Sequence, residues 1–364
     1  MKRILFVVSG AMVLGGTETM LMNWYRNFDK NLLQVDFVCY GNKEGAYDEE
    51  IKKLGGKIYR LPSKRENLIK NLTGIYKICK ENKYEIIHVH MDAMSFYPIL
   101  MAKLAGVKTR ICHCHSTNHL YTSQINLWLK NLLTRLLPFV ATDLFACSEA
   151  SGKWLYRNKD FTVFHNAIQL ERFEYSPEKE KRVRDDLGIA GKLVIGNVGN
   201  MNYPKNHIFM IDVFSEVKKI QDNAVLLLIG DGPDREIVEK KIQDLCIEKD
   251  VLLLGQRNDV NDIIQSFDVF ILTSIFEGFP VVLVEAQAAG IPCVISDSIT
   301  EEVKITNLIE TVSLKEEANI WAKCVLGQAR RGKSCTNDLI INNGFDIAQE
   351  SKKLESFYLS RLDA

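Results

Sequence analysis

No apolar run in this 364-residue chain reaches the ~20 residues that a membrane-spanning helix needs. Integral membrane classes are therefore not expected. The opening Lys2-Arg3 followed by an apolar stretch imitates a secretory leader, but it lacks a small-x-small cleavage site, and the Ser9-Gly10 break suits a first strand running into a loop. Cysteine forms no regular framework: nine residues, an odd count in a chain this long, point to reduced thiols in a cytosolic compartment. No G-x-G-x-x-G follows the first apolar run, which argues against a hydride-transferring dehydrogenase. There is no D-x-D to chelate a divalent ion, no internal repeat and no low-complexity tract. Net charge is also lacking, with 46 Lys and Arg against 46 Asp and Glu, and no nucleic-acid partner is expected.

What is present suits a globular α/β protein with two cores. Apolar residues make up 46% and charged residues 25%, and the length exceeds one ordinary domain. The charge is unevenly spread: residues 1–170 hold 23 Lys and Arg against 14 Asp and Glu, an excess of +9 that the remainder cancels. A basic first half attracts phosphates, anionic lipid or an acidic glycan, unless its basic helices are merely solvated.

The chain is organised around Ser274 to Pro292, SIFEGFPVVLVEAQAAGIP. The preceding DVFILTS reads as a buried strand, and VVLVEAQAAG reads as a helix closed by Gly290 and Pro292. Glu277 then sits on the turn and Glu285 in the helix. Gly278 allows close backbone approach, Pro280 suits a helix start, and the free N–H groups around Val281 suit a phosphate. A carboxylate would be repelled by that phosphate, so Glu277 is expected to accept hydrogen bonds from hydroxyls, which sugars supply.

These residues, E-G-F-P-(x4)-E-A-x-A-x-G-x-P, resemble the signature of the retaining, nucleotide-sugar-dependent glycosyltransferases of family 4. The resemblance extends over essentially the whole chain. It implies a GT-B fold: an N-terminal Rossmann-like acceptor domain (1–170) and a C-terminal Rossmann-like donor domain (171–345) facing a cleft, with a last helix (346–364) crossing back. Gly15-Gly16-Thr17-Glu18, after the strand Ile4 to Val8, matches the family's G-G-x-E, whose backbone faces the donor phosphates. Lys205 matches the lysine that clamps the diphosphate, but Asn200 stands where the family has arginine and brings neither charge nor a bidentate fork. Gln169 likewise replaces a family aspartate near the hinge. The loop holding Arg257 is expected beside the nucleobase.

Strands are expected at Gln34–Cys39, Lys57–Leu61, Ile86–His90, Thr109–His113 and Asp143–Ala146, alternating with helices, hence a parallel sheet with ligands beyond the strands' carboxyl ends. His88, His90, Asp92 and His115 fall at those ends, and His115 matches the family's histidine near the transferred sugar. Cys112-His113-Cys114-His115 looks like a metal cluster, yet alternate strand residues point to opposite faces, so the four are not expected to share an ion. From Ser123 to Leu137 apolar residues recur at helical spacing, giving a face that either packs on the domain core or lies on an anionic membrane.

The resemblance implies a retaining transferase that moves a sugar from a nucleotide-diphosphate sugar, a UDP-sugar favoured, to a glycan or lipid-linked acceptor in cell-surface polysaccharide synthesis. Lys205, the Gly278-Phe279-Pro280-Val281 turn and the Gly15-Gly16 loop would neutralise the leaving diphosphate with no metal or other cofactor required. Glu277 would hold sugar hydroxyls, Glu285 the ribose, and His115 the anomeric centre. A cytoplasmic location with peripheral contact to the inner membrane face would follow. The alternatives are a non-catalytic sugar-nucleotide-binding partner subunit, suggested by Asn200 and Gln169, and a nucleotide-sugar epimerase of the same fold.

Overall fold

The computed structural model describes residues 2–118 and 124–363. The chain divides into two compact units, Met1–Ala167 with Ile347–Ala364, and Ile168–Asp346. The first boundary lies three residues before the one expected from the sequence, and the last helix belongs to the first unit.

The first unit is built on seven parallel strands. β1 (Lys2–Val8), β2 (Leu33–Tyr40), β3 (Ile58–Leu61), β4 (Ile86–His90), β5 (Thr109–Cys114), β6 (Asp143–Ala146) and β7 (Thr162–Val163) lie in the order β3-β2-β1-β4-β5-β6-β7. β1 reads KRILFVV, and its last five residues are buried. Such unbroken apolar runs mark strands covered on both faces. One face is covered by the helix Gly16–Asn27, through Met20, Leu21, Trp24 and Tyr25, and by the returning helix Ile347–Leu362, through Leu354 and Tyr358. The other face packs Val7, Val89, Cys112 and Cys114 against helix Phe96–Leu104.

The second unit repeats the plan with six parallel strands: β8 (Leu193–Val198), β9 (Ala224–Ile229), β10 (Val251–Gly255), β11 (Val269–Leu272), β12 (Cys293–Ser296) and β13 (Ile309–Val312), ordered β10-β9-β8-β11-β12-β13. In both sheets the strand order reverses beside the first strand, between β1 and β4 and between β8 and β11. Ligands of open parallel sheets bind at such switch points, past the carboxyl ends of the strands. In the first unit that places Ser9 and His90 to Asp92, and in the second Gly199 to Lys205 and Thr273 to Glu277.

The helix expected over Ser123 to Leu137 spans Gln124–Leu136, with Ser123 outside the described residues. Only its Leu133 and Thr134 are buried. Ile125 is 79% exposed, Trp128 66% and the following Phe139 71%, so most of the apolar face does not pack on the core.

Candidate active site

In the second unit two loops meet at the switch point. β8 ends at Val198, the chain turns through Gly199 and Asn200, and the one-turn helix Tyr203–Lys205 leads through Asn206, held in the left-handed region at φ 53°, into helix His207–Ile220. β11 ends at Leu272 and the chain runs from Thr273 to Pro280, which caps helix Val281–Ala288. The loops are stitched together: Ile275 N–H donates to the Pro204 carbonyl at 2.7 Å, and the Thr273 hydroxyl to the Asn206 carbonyl at 3.0 Å. Ser296 and Ser298 hydroxyls both donate to the Ser274 carbonyl, at 2.5 and 2.6 Å.

The result is a buried-edge ion pair. Lys205 Nζ lies 2.6 Å from Glu277 Oε1, and the Ser274 hydroxyl donates to the same oxygen at 2.6 Å. Both charged side chains are mostly shielded, at 17% and 13% exposure. The lysine therefore does not stand free for a diphosphate, because its ammonium is shared with Glu277. Gly199 makes room for it: a Cβ there would sit 3.2 Å from Lys205 Cε. The GDGP turn supports the same loop from below. Gly230 has φ 131°, and a Cβ on it would meet the Gly199 carbonyl oxygen at 2.1 Å, so this turn is packing for the Gly199–Lys205 loop.

Glu285 lies in helix Val281–Ala288, about one helical turn beyond the Gly278–Val281 loop. Burial pushes its carboxyl up to about 7, against a smaller opposing pull from Arg172 in the short helix Leu170–Phe173. A raised carboxyl favours the folded state fully below the unfolded value near 4.5, and that advantage is lost as pH rises to about 7. Glu285→Gln should therefore be more stable than the parent at pH 8, on the order of 3 kcal/mol, with the difference vanishing near pH 4.5; denaturant midpoints across pH check this.

The other expected donor residues are placed unequally. Gly278 and Val281 flank the turn as read. Phe279 is buried, stacked on Phe345 with centroids 5.4 Å apart, so its ring is structural and only its backbone is available. Arg257 is exposed and forked onto Asp259 at 2.8 and 2.6 Å, which occupies its guanidinium within its own loop. Asn200 is exposed on the loop after β8. Sequence reasoning passed over Ser274 and Arg172; only adjacency to the glutamate motif pointed to the serine, and nothing local pointed to the arginine.

In the first unit a cavity of about 160 Å³ opens at the ends of β1 and β4. Ser9, Thr17, Glu18, His90, Asp92 and His115 supply its polar lining. Gly15 caps helix Gly16–Asn27, and a Cβ on it would meet a Glu18 carboxylate oxygen at 2.4 Å, so this glycine lets Glu18 fold back over the helix start. Burial raises the Glu18 carboxyl. Asp92, in the left-handed region at φ 45°, accepts the His115 backbone N–H at 2.8 Å. His115 pairs its Nε2 with His90 Nδ1 at 2.9 Å, and burial lowers its imidazole to about 3, which keeps it neutral. The CHCH run divides as the strand alternation requires. Cys112 and Cys114 face the opposite core, while His113 stacks on His115 at 4.4 Å. What the local pattern did not reveal is the neighbouring strand: β4 sets His88 and His90 on the same face as His113, with one ring nitrogen from each of these three within 4.8 Å of the others.

Comparison with known proteins bears on both units. The model for glycosyl transferases group 1 matches residues 179–316, and that for glycosyltransferase family 4 matches residues 14–172. A Bacillus subtilis (strain 168) protein named as a glycosyltransferase, EpsF, is 36% identical over 373 residues, covering 98% of this chain and 96% of the relative. The chain belongs to the group 1 glycosyltransferases. As a glycosyltransferase it is an enzyme, in place of the dehydrogenase, epimerase and non-catalytic alternatives. It is also 28% identical over 316 residues to the Escherichia coli UDP-Gal:alpha-D-GlcNAc-diphosphoundecaprenol alpha-1,3-galactosyltransferase, covering 80% of this chain and 79% of that one. Among solved structures, Anabaena HepE in complex with UDP and glucose superposes with a TM-score of 0.82 at 18% identity, covering 99% of this glycosyltransferase and 100% of that chain. The shared fold is GT-B.

Proposed function

We propose that this glycosyltransferase moves a sugar from a UDP-sugar to a lipid-linked glycan acceptor, with retention at the anomeric carbon, in assembly of a cell-surface polysaccharide. The observation that carries the reading is the shielded Lys205–Glu277 pair at the β8/β11 switch point. Departure of the nucleoside diphosphate builds negative charge, and a lysine already held in a shielded niche needs only to be shared with Glu277 to meet it. As the diphosphate draws on the Lys205 ammonium, Glu277 remains held by the Ser274 hydroxyl and accepts sugar hydroxyls. The N–H groups at the start of helix Val281–Ala288 add donors to the diphosphate, and no divalent ion is required there. Glu285 takes the ribose hydroxyls, which favour its ionised form. In the first unit, neutral His115, braced by His90 and Asp92, positions the reacting sugar.

Support for the donor and acceptor classes comes from relatives. The E. coli relative is named for UDP-Gal and a diphosphoundecaprenol-linked acceptor, HepE was solved with UDP and glucose, and a Staphylococcus aureus relative is named for capsular polysaccharide biosynthesis. In this reading the exposed apolar face of helix Gln124–Leu136 holds the enzyme against the cytoplasmic membrane face. No helix among the described residues is long and apolar enough to cross a membrane. Proton NMR of the product formed from a UDP-α-sugar tests the chemistry: an α-linked product is expected, and a β-linked product would refute retention.

A further inference from the structure

We propose that His88, His90 and His113 form a binding site for one transition-metal dication of the zinc class inside the first unit. Residues two apart on a strand share a face, so His88 and His90 project from β4 to the same side. β5 runs parallel beside it, with Val89 paired to Cys112, and brings His113 to that side as the next residue. One ring nitrogen from each lies within 4.8 Å of the other two. His88 Nε2 and His113 Nδ1 stand 3.1 Å apart, close to the ~3.3 Å edge that metal–nitrogen bonds of about 2.0–2.1 Å give in a tetrahedral site.

The surroundings are those of a metal site in three further respects. The Tyr358 hydroxyl, from helix Ile347–Leu362, bonds His88 Nδ1 at 2.6 Å, an outer contact that fixes the ring and leaves Nε2 turned to the cluster. His90 Nδ1 is engaged with His115, while its Nε2 is buried with no hydrogen-bond partner, a polar atom that an ion would satisfy. Phe6, Trp24 and Phe145 pack around the rings and exclude water.

A set of three imidazoles suits zinc, cobalt(II), nickel(II) or copper(II) and not magnesium or calcium. Of the three, His90 alone also borders the neighbouring cavity, which Glu18 and Asp92 line. The site's place, beneath His115 and under Tyr358, makes it a brace between the β4–β5 face and the C-terminal helix. It is separate from any ion at the diphosphate, which the Lys205 site does not need.

The full chain, stripped with a chelator and dialysed, is titrated with cobalt(II) and followed by its visible ligand-field absorption, with zinc content measured in parallel. One equivalent with an intense tetrahedral-type band is expected, displaced by zinc, with a zinc-dependent rise in the thermal midpoint. His90→Gln and His113→Gln should each weaken binding at least tenfold, whereas His165→Gln should still bind one equivalent. His90→Gln borders the cavity, so its fold, checked by circular dichroism, keeps the test decisive if His113→Gln fails to fold. Fewer than about one-tenth equivalent bound by the parent, or equal binding by parent and both cluster variants, would overturn the site and leave an imidazole ladder joined only by hydrogen bonds.

Discussion

Replacing Lys205 by alanine is expected to lower kcat/KM for the sugar-nucleotide donor by about 100- to 1000-fold, the range found when one preorganised charge-stabilising group is removed. The ammonium sits 2.6 Å from Glu277 in a niche largely closed to water, so its interaction with a developing diphosphate charge is weakly screened. Neither of the two other positions expected to serve the donor offers a free cation: asparagine stands at position 200, and Arg257 is held by Asp259. Glu277→Ala should cost a similar factor, partly through lost sugar contacts and partly because Lys205 loses its orienting partner. Since the two groups share one contact, the double variant should be far less impaired than the product of the single effects. Steady-state kinetics on the three variants checks this, and a loss under threefold for Lys205→Ala would contradict it.

Joint replacement of Ile125 and Trp128 by glutamate is expected to reduce binding to phosphatidylglycerol-containing vesicles about tenfold or more, without altering the thermal midpoint. Helix Gln124–Leu136 buries Leu133 and Thr134 but presents Ile125, Trp128, Leu129 and Leu136 to solvent, continued by Phe139. So contiguous an exposed apolar face marks an interaction surface. The occupant proposed for it is an anionic bilayer, on the charge of its surroundings. Lys130 and Arg135 lie on the helix, and Lys103 reaches the Phe139 carbonyl at 3.0 Å, in the half of the chain that carries the +9 excess. Binding should weaken with added salt as that attraction is screened. Co-flotation measures it, and equal flotation of parent and variant would remove this helix from the membrane account.

The fold was legible because its signals are local and redundant. Apolar strands such as ILFVV and VLLLI, each followed by a glycine or polar turn and a helix, leave little besides parallel α/β units, and the Glu277–Glu285 motif places a strand, turn and helix in one stretch. The Lys205–Glu277 contact was half legible. Each residue matched a motif, but that the ammonium is already paired depends on the Ile275–Pro204 and Thr273–Asn206 stitches between loops distant in sequence. The histidine cluster was illegible for the same reason in stronger form. Strand alternation explains why Cys112 and Cys114 part from His113 and His115, yet the register that brings β4 beside β5 is a tertiary fact. Phe279 and Arg257 show the opposite limit: residues expected at the donor whose side chains the fold commits to Phe345 and Asp259.

The most direct test of the central claim is donor turnover across a panel of UDP-, GDP-, ADP- and dTDP-sugars by the parent enzyme, with Lys205→Ala and Glu277→Ala alongside. The account expects slow hydrolysis of a UDP-sugar in preference to the others, abolished in both variants. Equal turnover by the variants, or turnover confined to a donor with another base, would contradict it.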